Sequence, residues 1–218
     1  MKKTIKLTAF VSALIFQVGA AHAGMKIGIT QNNVGVDSYQ TTYDKSIKEA
    51  AQNASDVDAI ILDAGGDIAR QIAQIQDLIQ QNVDAIIIWP TNGQAIVPIV
   101  RKANLAGIKV IITNSNIAEA GLEYISAFSG PNNITQGKYS AEMMCDALKG
   151  EGQIVQIAGQ PGYTTAMERQ KGFEDRLAVA CRTFTIVETQ PGVWNRANSH
   201  LAMEHYCINY HYMYVVYA

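Results

Sequence analysis

The chain has 218 residues, of which 48% are hydrophobic and 17% charged, a composition typical of a globular protein and unlike that of a disordered one. Seventeen Lys and Arg residues stand against 19 Asp and Glu residues, so the formal net charge is −2. A protein with this balance has no broad positive field for a phosphate backbone or an anionic membrane, which excludes nucleic acid as an expected partner. The length allows one large domain or two small ones.

The first 23 residues have the composition of an export signal. Two lysines follow Met1, residues 7–20 are mostly apolar, and Ala21-His22-Ala23 has the small-x-small form of a signal-peptidase site. The apolar stretch is shorter than the ~20 residues that a membrane-spanning helix needs. We therefore predict a signal peptide over residues 1–23, cleavage after Ala23, and a periplasmic protein without a lipid anchor, because no cysteine follows the cleavage site.

From residue 25 onward, short β-branched runs alternate with stretches of helical periodicity, which indicates βαβ units and a parallel sheet. The predicted strands cover residues 25–30, 57–62, 85–89, 109–113, 124–128, 153–158, 183–188 and 214–217. The main predicted helices cover residues 38–53, 67–81, 94–105 and 132–148, with Asp67 as an N-cap and Pro98 in an early turn. The alternation restarts near Ser129-Gly130-Pro131, so we expect an N-terminal lobe over 24–129 and a partial C-terminal lobe over 130–218.

Three cysteines, Cys145, Cys181 and Cys207, are too few and too scattered for a disulfide framework in a chain of this length. Cys145 lies among apolar residues of a predicted helix, which favours a small buried thiol. A bridge between Cys145 and Cys181 is the alternative in an oxidising compartment, and the sequence cannot give the distance that would decide it.

The usual motifs of α/β enzymes are absent from the sequence. Gly137-Lys138 is followed by Tyr139 where a phosphate loop needs Ser or Thr, and neither a Gly-x-Ser-x-Gly elbow nor a dinucleotide-binding glycine pattern occurs. Three histidines, at spacings that share no helical face, do not form a metal site: His200, His205 and His211. We expect no catalytic residue, no metal and no cofactor.

An ordered series of short phrases runs from about residue 25 to about residue 204. The phrases are Leu62-Asp63-Ala64-Gly65-Gly66-Asp67, Val83-Asp84-Ala85-Ile86-Ile87-Ile88 with Pro90, Gly107-Ile108-Lys109-Val110, Gly130-Pro131-Asn132-Asn133 with Gly137, Arg169-Gln170-Lys171-Gly172-Phe173, and Gln190-Pro191-Gly192 with Trp194-Asn195-Arg196-Ala197. Together with the export signal and the βα alternation, the series resembles the periplasmic sugar-binding proteins of ABC transporters, in the ribose- and galactose-binding group.

This resemblance implies an α/β fold like that of periplasmic binding proteins, with two doubly wound parallel-sheet lobes joined by a hinge. The ligand is then expected in the cleft at the carboxyl ends of the strands, where open α/β sheets bind. Closure of the hinge over a monosaccharide would be the signal that the membrane subunits of an ABC permease read. The resemblance implies a monomeric binding protein rather than an enzyme.

The resemblance also implies six ligand-binding residues: Asp37, Tyr39, Asn114, Asn132, Arg169 and Trp194. Tyr39 matches an aromatic position in the loop after the first strand, with packing at a helix start as the alternative. Asn114 follows the fourth strand, where relatives often carry an acidic residue, so it keeps hydrogen bonding but removes the charge. Trp194 follows a Pro-Gly turn and matches an aromatic that stacks on the sugar ring, with a core role as the alternative.

Arg169 is the strongest of these candidates. It lies on the same helical stripe as Ala166 and Phe173, and a cation turned toward an apolar face needs a specific partner to compensate its desolvation. The resemblance makes that partner the sugar hydroxyls. A structural ion pair with Glu168 or Glu142 is the alternative.

The segment after residue 204 departs from the family pattern. Five of the 10 tyrosines and three of the 4 histidines lie between residues 200 and 218, and the family's Asn-Asp phrase does not follow. We therefore expect an incomplete second lobe and interpret the segment as part of a truncated or corrupted copy, without a functional pattern of its own. A periplasmic sugar-sensing module for a chemoreceptor or sensor kinase, or a non-functional fragment, are the alternatives to a transport protein.

Overall fold

The computed structural model describes residues 24–149, 151–180, 183–210 and 214–217, so the predicted signal peptide lies outside the described residues. The first part of the chain contains β1 (Met25–Gln31), α1 (Ser38–Asn53), β2 (Val57–Asp63), α2 (Ile68–Gln80), β3 (Ala85–Ile88), α3 (Val97–Leu105), β4 (Lys109–Thr113), a 3-10 helix (Glu119–Tyr124) and β5 (Ala127–Ser129). The second contains α4 (Asn133–Leu148), β6 (Glu151–Ala158), α5 (Thr164–Ala180), β7 (Thr183–Pro191), α6 (Arg196–Asn209) and β8 (Tyr214–Tyr217).

The strands form two parallel sheets. One sheet has the order β2-β1-β3-β4-β5, and the other, among the described residues, has the order β7-β6-β8. In the first sheet Ile29 is in register with Ile61 on one side and Ile87 on the other. We call the part of the chain from β1 to β5 the first lobe and the part from α4 to β8 the second lobe. The predicted α/β class with two parallel-sheet lobes is confirmed.

The core of the first lobe lies between its sheet and helices α2 and α3. Ile75 and Leu78 of α2 are fully buried there. Leu78 packs directly on the sheet at Gly28, where a Cβ would lie only 2.5 Å from its Cδ1 atom. Asp67 caps α2 as predicted, because its carboxylate accepts the N–H groups of the second and third helical residues at 2.8 and 3.2 Å.

Helices α4 and α5 of the second lobe pack backbone against backbone. A Cβ at Gly137 would overlap the carbonyl oxygen of Arg169, and a Cβ at Gly172 would overlap that of Ile134. The two glycines therefore permit a helix crossing that side chains would prevent. One consequence is that the α5 residue Arg169 lies beside Asn133 of α4, within hydrogen-bonding distance.

Two predicted elements of the first lobe begin three residues later than expected. The strand expected over 124–128 covers only Ala127–Ser129, because Tyr124 ends a 3-10 helix and packs against the first-lobe core together with Ile125. Helix α3 begins at Val97 rather than at residue 94, since the Asn92 side chain accepts the N–H groups of residues 94 and 95 in a preceding turn. Pro98 does lie in the first turn of α3, as predicted.

The state of Cys145 differs from the one that the sequence favoured. Cys145 is disulfide-bonded and is not the buried free thiol that its apolar neighbours indicated. Cys181, the partner weighed from the sequence, lies outside the described residues. Cys207 is a free thiol on the exposed surface of α6.

The tyrosine-rich segment has a packing role that the sequence interpretation missed. Tyr206 on α6 is fully buried with Val155 and Ala202, and its hydroxyl donates a 2.7 Å hydrogen bond to the carbonyl oxygen of Gln156 on β6. Burial raises the pKa of Tyr206 to about 12. The hydroxyl of Tyr210 donates to Glu188 on β7 at 3.0 Å. These bonds attach α6 to the second sheet.

Candidate functional site

A cavity of about 470 Å³ lies between the two lobes. The first lobe lines it with Asn32, Asp37, Tyr39, Gln40, Trp89 and Asn114, and the second part of the chain with Pro131, Gln136, Tyr163, Thr165, Arg169 and Trp194. Trp89 and Asn114 directly follow the last residues of β3 and β4, and Asn32 directly follows β1. The cavity therefore lies at the carboxyl ends of the strands, where open parallel sheets place ligand sites.

The structure brings five of the six predicted residues to this cavity: Asp37, Tyr39, Asn114, Arg169 and Trp194. Asn132 is not part of the lining. It is the exposed N-cap of α4, and its side chain accepts the N–H of Thr135 at 2.9 Å. Asp37 has a comparable capping role at α1, accepting the N–H of Gln40 at 2.7 Å, but it also faces the cavity.

Tyr39 and Asn114 meet at the edge of the cavity. The Tyr39 hydroxyl donates a 2.9 Å hydrogen bond to Oδ1 of Asn114, which leaves the Asn114 amide N–H groups as the available donors. Asn114 has a left-handed backbone, with φ of 61°, a conformation that asparagine adopts more readily than most residues. Tyr39 is 58% exposed, so its ring stands at the mouth of the cavity rather than in the core.

An aromatic cluster forms the first-lobe wall. The Trp89 ring meets the rings of Tyr39 and Tyr43 edge-on, with centroid distances of 5.7 and 4.8 Å. The Tyr43 hydroxyl shares a 2.8 Å hydrogen bond with the Thr113 hydroxyl, and burial raises the pKa of Tyr43. These contacts fix the Trp89 indole at the end of β3.

A second aromatic pair forms the opposite wall. Trp194 and Tyr163 meet edge-on with their centroids 5.2 Å apart, and burial raises the pKa of Tyr163 to about 12. Trp194 lies in a turn in which it and Val193 both have positive φ, at 53° and 49°. The indole lies over Gly159, where a Cβ would be 2.6 Å from the Cζ2 atom of Trp194. Glycine at 159 therefore makes room for the ring.

Arg169 is oriented by an amide. Its Nε donates to Oδ1 of Asn133 at 3.1 Å, and the Asn133 Nδ2 donates to Glu168 at 3.2 Å. Glu142, one of the two ion-pair partners considered from the sequence, instead lies 2.8 Å from Arg176. Glu168 thus acts on Arg169 through the buried Asn133 side chain.

Three lining residues that the sequence analysis did not single out each place a buried polar atom without a hydrogen-bond partner in the described structure. These atoms are Oδ1 of Asn32, Nε1 of Trp89 and Oγ1 of Thr165. The residues are only 1%, 4% and 5% exposed. Buried polar groups without partners cost free energy, and the three residues that carry these atoms all line one cavity.

The described residues contain neither a candidate metal cluster nor a candidate membrane span. Within ranges 24–149, 151–180, 183–210 and 214–217, no group of three or more His, Cys, Asp or Glu side chains is placed to hold a metal ion. In the same part of the chain, no helix combines the length and apolar character needed to cross a membrane.

Residues 27–218 match the family described as periplasmic binding protein domain. The chain belongs to this family. The chain is 31% identical over 157 residues to the ribose import binding protein of Bacillus subtilis, an alignment that covers 72% of this chain and 49% of the relative. The chain spans about half the length of the first curated relatives that it matches.

Solved structures confirm the fold of this periplasmic binding protein. A protein from Mycobacterium smegmatis in complex with β-D-fucofuranose has a TM-score of 0.81 and 26% sequence identity, covering 89% of this chain and 64% of that one. The fructose-binding periplasmic domain of a hybrid two-component system has a TM-score of 0.79 and 25% identity, covering 88% and 63%. The fold that the short phrases implied is thus the fold of the family.

Proposed function

We propose that this protein binds a neutral monosaccharide in the cavity between its lobes. The observation that carries the proposal is the set of three buried, unpartnered polar atoms beside that cavity, on Asn32, Trp89 and Thr165. They comprise an acceptor, a donor and a hydroxyl that can act as either, which suits a ligand covered in hydroxyl groups. The volume of about 470 Å³ falls within the range of small-molecule sites, about 300 to 1,000 Å³.

The aromatic walls support a sugar over a purely polar ligand. The rings of Trp89 and Trp194 line the cavity from the two lobes, and such rings provide apolar faces for the C–H surface of a sugar ring. The charged residues of the lining are Asp37 and Arg169, one of each sign. A site without a cluster of cations favours a neutral ligand over a phosphorylated or acidic one.

Calorimetric titration of the purified protein tests this proposal. The panel comprises neutral pentoses, hexoses and myo-inositol, together with an acidic sugar and a sugar phosphate at matched concentrations. We expect saturable heat from at least one neutral sugar. Tighter binding of the phosphorylated or acidic sugars, or no binding of any sugar, would contradict the proposal.

Membership of the family supports a wider role for this protein. We infer a monomeric, non-enzymatic binding protein of the periplasm, exported by the segment 1–23 and cleaved after Ala23, which delivers its sugar to the membrane subunits of an ABC permease. We divide it into lobes at residues 129 and 130, since β5 ends at Ser129 and α4 begins at Asn133. The test is ATP hydrolysis by the cognate permease in proteoliposomes, which sugar-loaded protein should stimulate and sugar-free protein should not.

A periplasmic sensing module is the second candidate. It is favoured by the similarity to the fructose-binding periplasmic domain of a hybrid two-component system. In that case the sugar-loaded protein would bind the periplasmic part of a receptor and would leave the ATP hydrolysis of the permease unchanged. A fragment without function would bind no sugar at all.

A further inference from the structure

A hydrogen bond joins the two lobes beside the cavity. Oγ of Ser115, in the loop after β4 of the first lobe, accepts the backbone N–H of Thr165, the second residue of α5 in the second lobe, at 3.3 Å. Ser115 is 2% exposed and Thr165 is 5% exposed, so the bond is shielded from water. The cavity lining includes Thr165 but not Ser115.

This bond acts as a helix cap supplied by the opposite lobe. The first four N–H groups of an α-helix have no acceptor within the helix, and a hydroxyl oxygen from a nearby side chain usually satisfies one of them. For α5 the hydroxyl belongs to Ser115, which is 50 residues away in the chain. The cap is therefore complete only while the two lobes are in contact.

Neighbouring contacts show how closely the lobes approach at this point. A Cβ at Gly93, in the first lobe, would overlap Oγ1 of Thr164, and a Cβ at Gly162 would lie 2.8 Å from Nδ2 of Asn92. The start of α5 thus lies against the loop after β3 with glycine on each side of the contact. The absence of a side chain at Gly93 permits this close approach.

We propose that Ser115 is a closure-coupling residue, which strengthens ligand binding by stabilising the closed arrangement of the lobes without touching the ligand. The inference rests on the proposed function, because a bond between lobes affects affinity only if the lobes close over the ligand. Closure and binding are then one linked equilibrium, and a bond present only in the closed state lowers the dissociation constant of every ligand by the same factor.

The test compares Ser115→Ala with the wild type and with Ser140→Ala. Ser140 is a matched control, since its hydroxyl donates a 3.0 Å hydrogen bond to the carbonyl oxygen of Gln136 within α4. Dissociation constants and rate constants are measured for every sugar of the neutral panel that binds, and small-angle X-ray scattering measures compaction on adding sugar.

We expect Ser115→Ala to weaken the binding of all of these sugars by the same factor, about 3- to 10-fold, which is the effect of losing one net hydrogen bond. The loss should appear mainly as faster dissociation, with a smaller sugar-induced compaction and an unchanged melting temperature of the ligand-free protein. Ser140→Ala should match the wild type.

Other results would overturn the inference. Unchanged affinity in Ser115→Ala shows that the bond does not couple closure to binding, although the proposed function stands. A changed order of sugar preference shows that Ser115 contacts the ligand directly. If the wild type binds no sugar, the proposed function fails, and the role of Ser115 fails with it.

Discussion

The hydroxyl of Tyr39 donates a 2.9 Å hydrogen bond to Oδ1 of Asn114, across 75 positions of the chain. Tyr39 belongs to the start of α1 and Asn114 to the end of β4, and both line the cavity. The bond fixes which end of the Asn114 amide is turned toward the tyrosine, so the amide N–H groups are presented as donors. An acidic residue at this position could not donate in its ionised form.

Replacing Tyr39 by Phe tests that relationship. The Tyr39→Phe variant should bind sugar about fivefold more weakly, because the Asn114 amide loses the bond that orients it. Its melting temperature should stay close to that of the wild type, since Tyr39 is 58% exposed. The matched control is Tyr139→Phe, at a tyrosine that is 61% exposed on α4 and absent from the cavity lining. Equal affinities for the two variants would contradict a role for the bond.

Arg169→Ala should weaken sugar binding by about 2 to 4 kcal/mol, the scale of leaving buried hydroxyls without a charged partner. Titration calorimetry measures the loss, and Arg176→Ala is the control because that arginine lies on the same helix and pairs with Glu142. A structural role for Arg169 would show differently. The variant would then unfold more readily, while its folded fraction kept normal affinity.

Trp194→Ala should cost about 1 to 3 kcal/mol of binding free energy through lost apolar contact with the sugar ring. A control at an exposed apolar residue of the same lobe is Leu201→Ala, since Leu201 is 62% exposed on α6. Affinity is again measured by calorimetry, and stability by thermal unfolding. If Trp194 has only a packing role against Tyr163, the melting temperature will fall and the affinity will not change.

The lowered pKa of Glu188 predicts that the folded protein loses stability in acid. The Gln190 amide first, and then the Tyr210 hydroxyl and His205, donate hydrogen bonds to its carboxylate and lower its pKa in the folded protein. A folded-state pKa below the unfolded one stabilises the protein above the unfolded value of about 4.3, and this contribution is lost as the pH falls through the folded value. The melting temperature of the wild type should thus fall more steeply than that of Glu188→Gln on acidification from neutral pH. Parallel curves for the two proteins would contradict the prediction.

Much of the fold could be predicted from the sequence because its strands are local features. All eight predicted strands are present, and runs such as Ala85–Ile88, which are apolar throughout, indicate burial on both faces without any knowledge of neighbours. The strand expected to begin at Tyr124 was misplaced for a tertiary reason. Tyr124 packs against the core of the first lobe, and a short apolar run in the sequence cannot distinguish that contact from strand pairing.

The site was predicted less completely than the fold. Tyr39, Asn114, Arg169 and Trp194 could be found because they match family positions, and all of them line the cavity. The unpartnered hydroxyl of Thr165 gives no signal in the sequence. Whether a hydroxyl lacks a partner can be judged only when the positions of all the surrounding groups are known. The same holds for the Ser115 bond, which depends on how two lobes meet, and for the burial of Tyr206.

We infer that the unpartnered buried polar atoms of the residues lining the cavity exist for the ligand, and Thr165→Val tests this inference. Valine keeps the shape of threonine and removes the hydroxyl, whose oxygen has no partner in the described structure. The control is Thr113→Val, because the Thr113 hydroxyl is bonded to Tyr43 at 2.8 Å, and its loss should lower the melting temperature of the ligand-free protein.

The decisive measurement is the melting temperature of the ligand-free Thr165→Val variant together with its dissociation constant for the best-bound sugar. We predict opposite effects on the two quantities. The melting temperature should equal or exceed that of the wild type, because an unsatisfied buried hydroxyl is gone, and the affinity should fall about fivefold or more. A lower melting temperature with unchanged affinity would contradict this prediction, since the hydroxyl would then stabilise the fold and make no bond to the ligand.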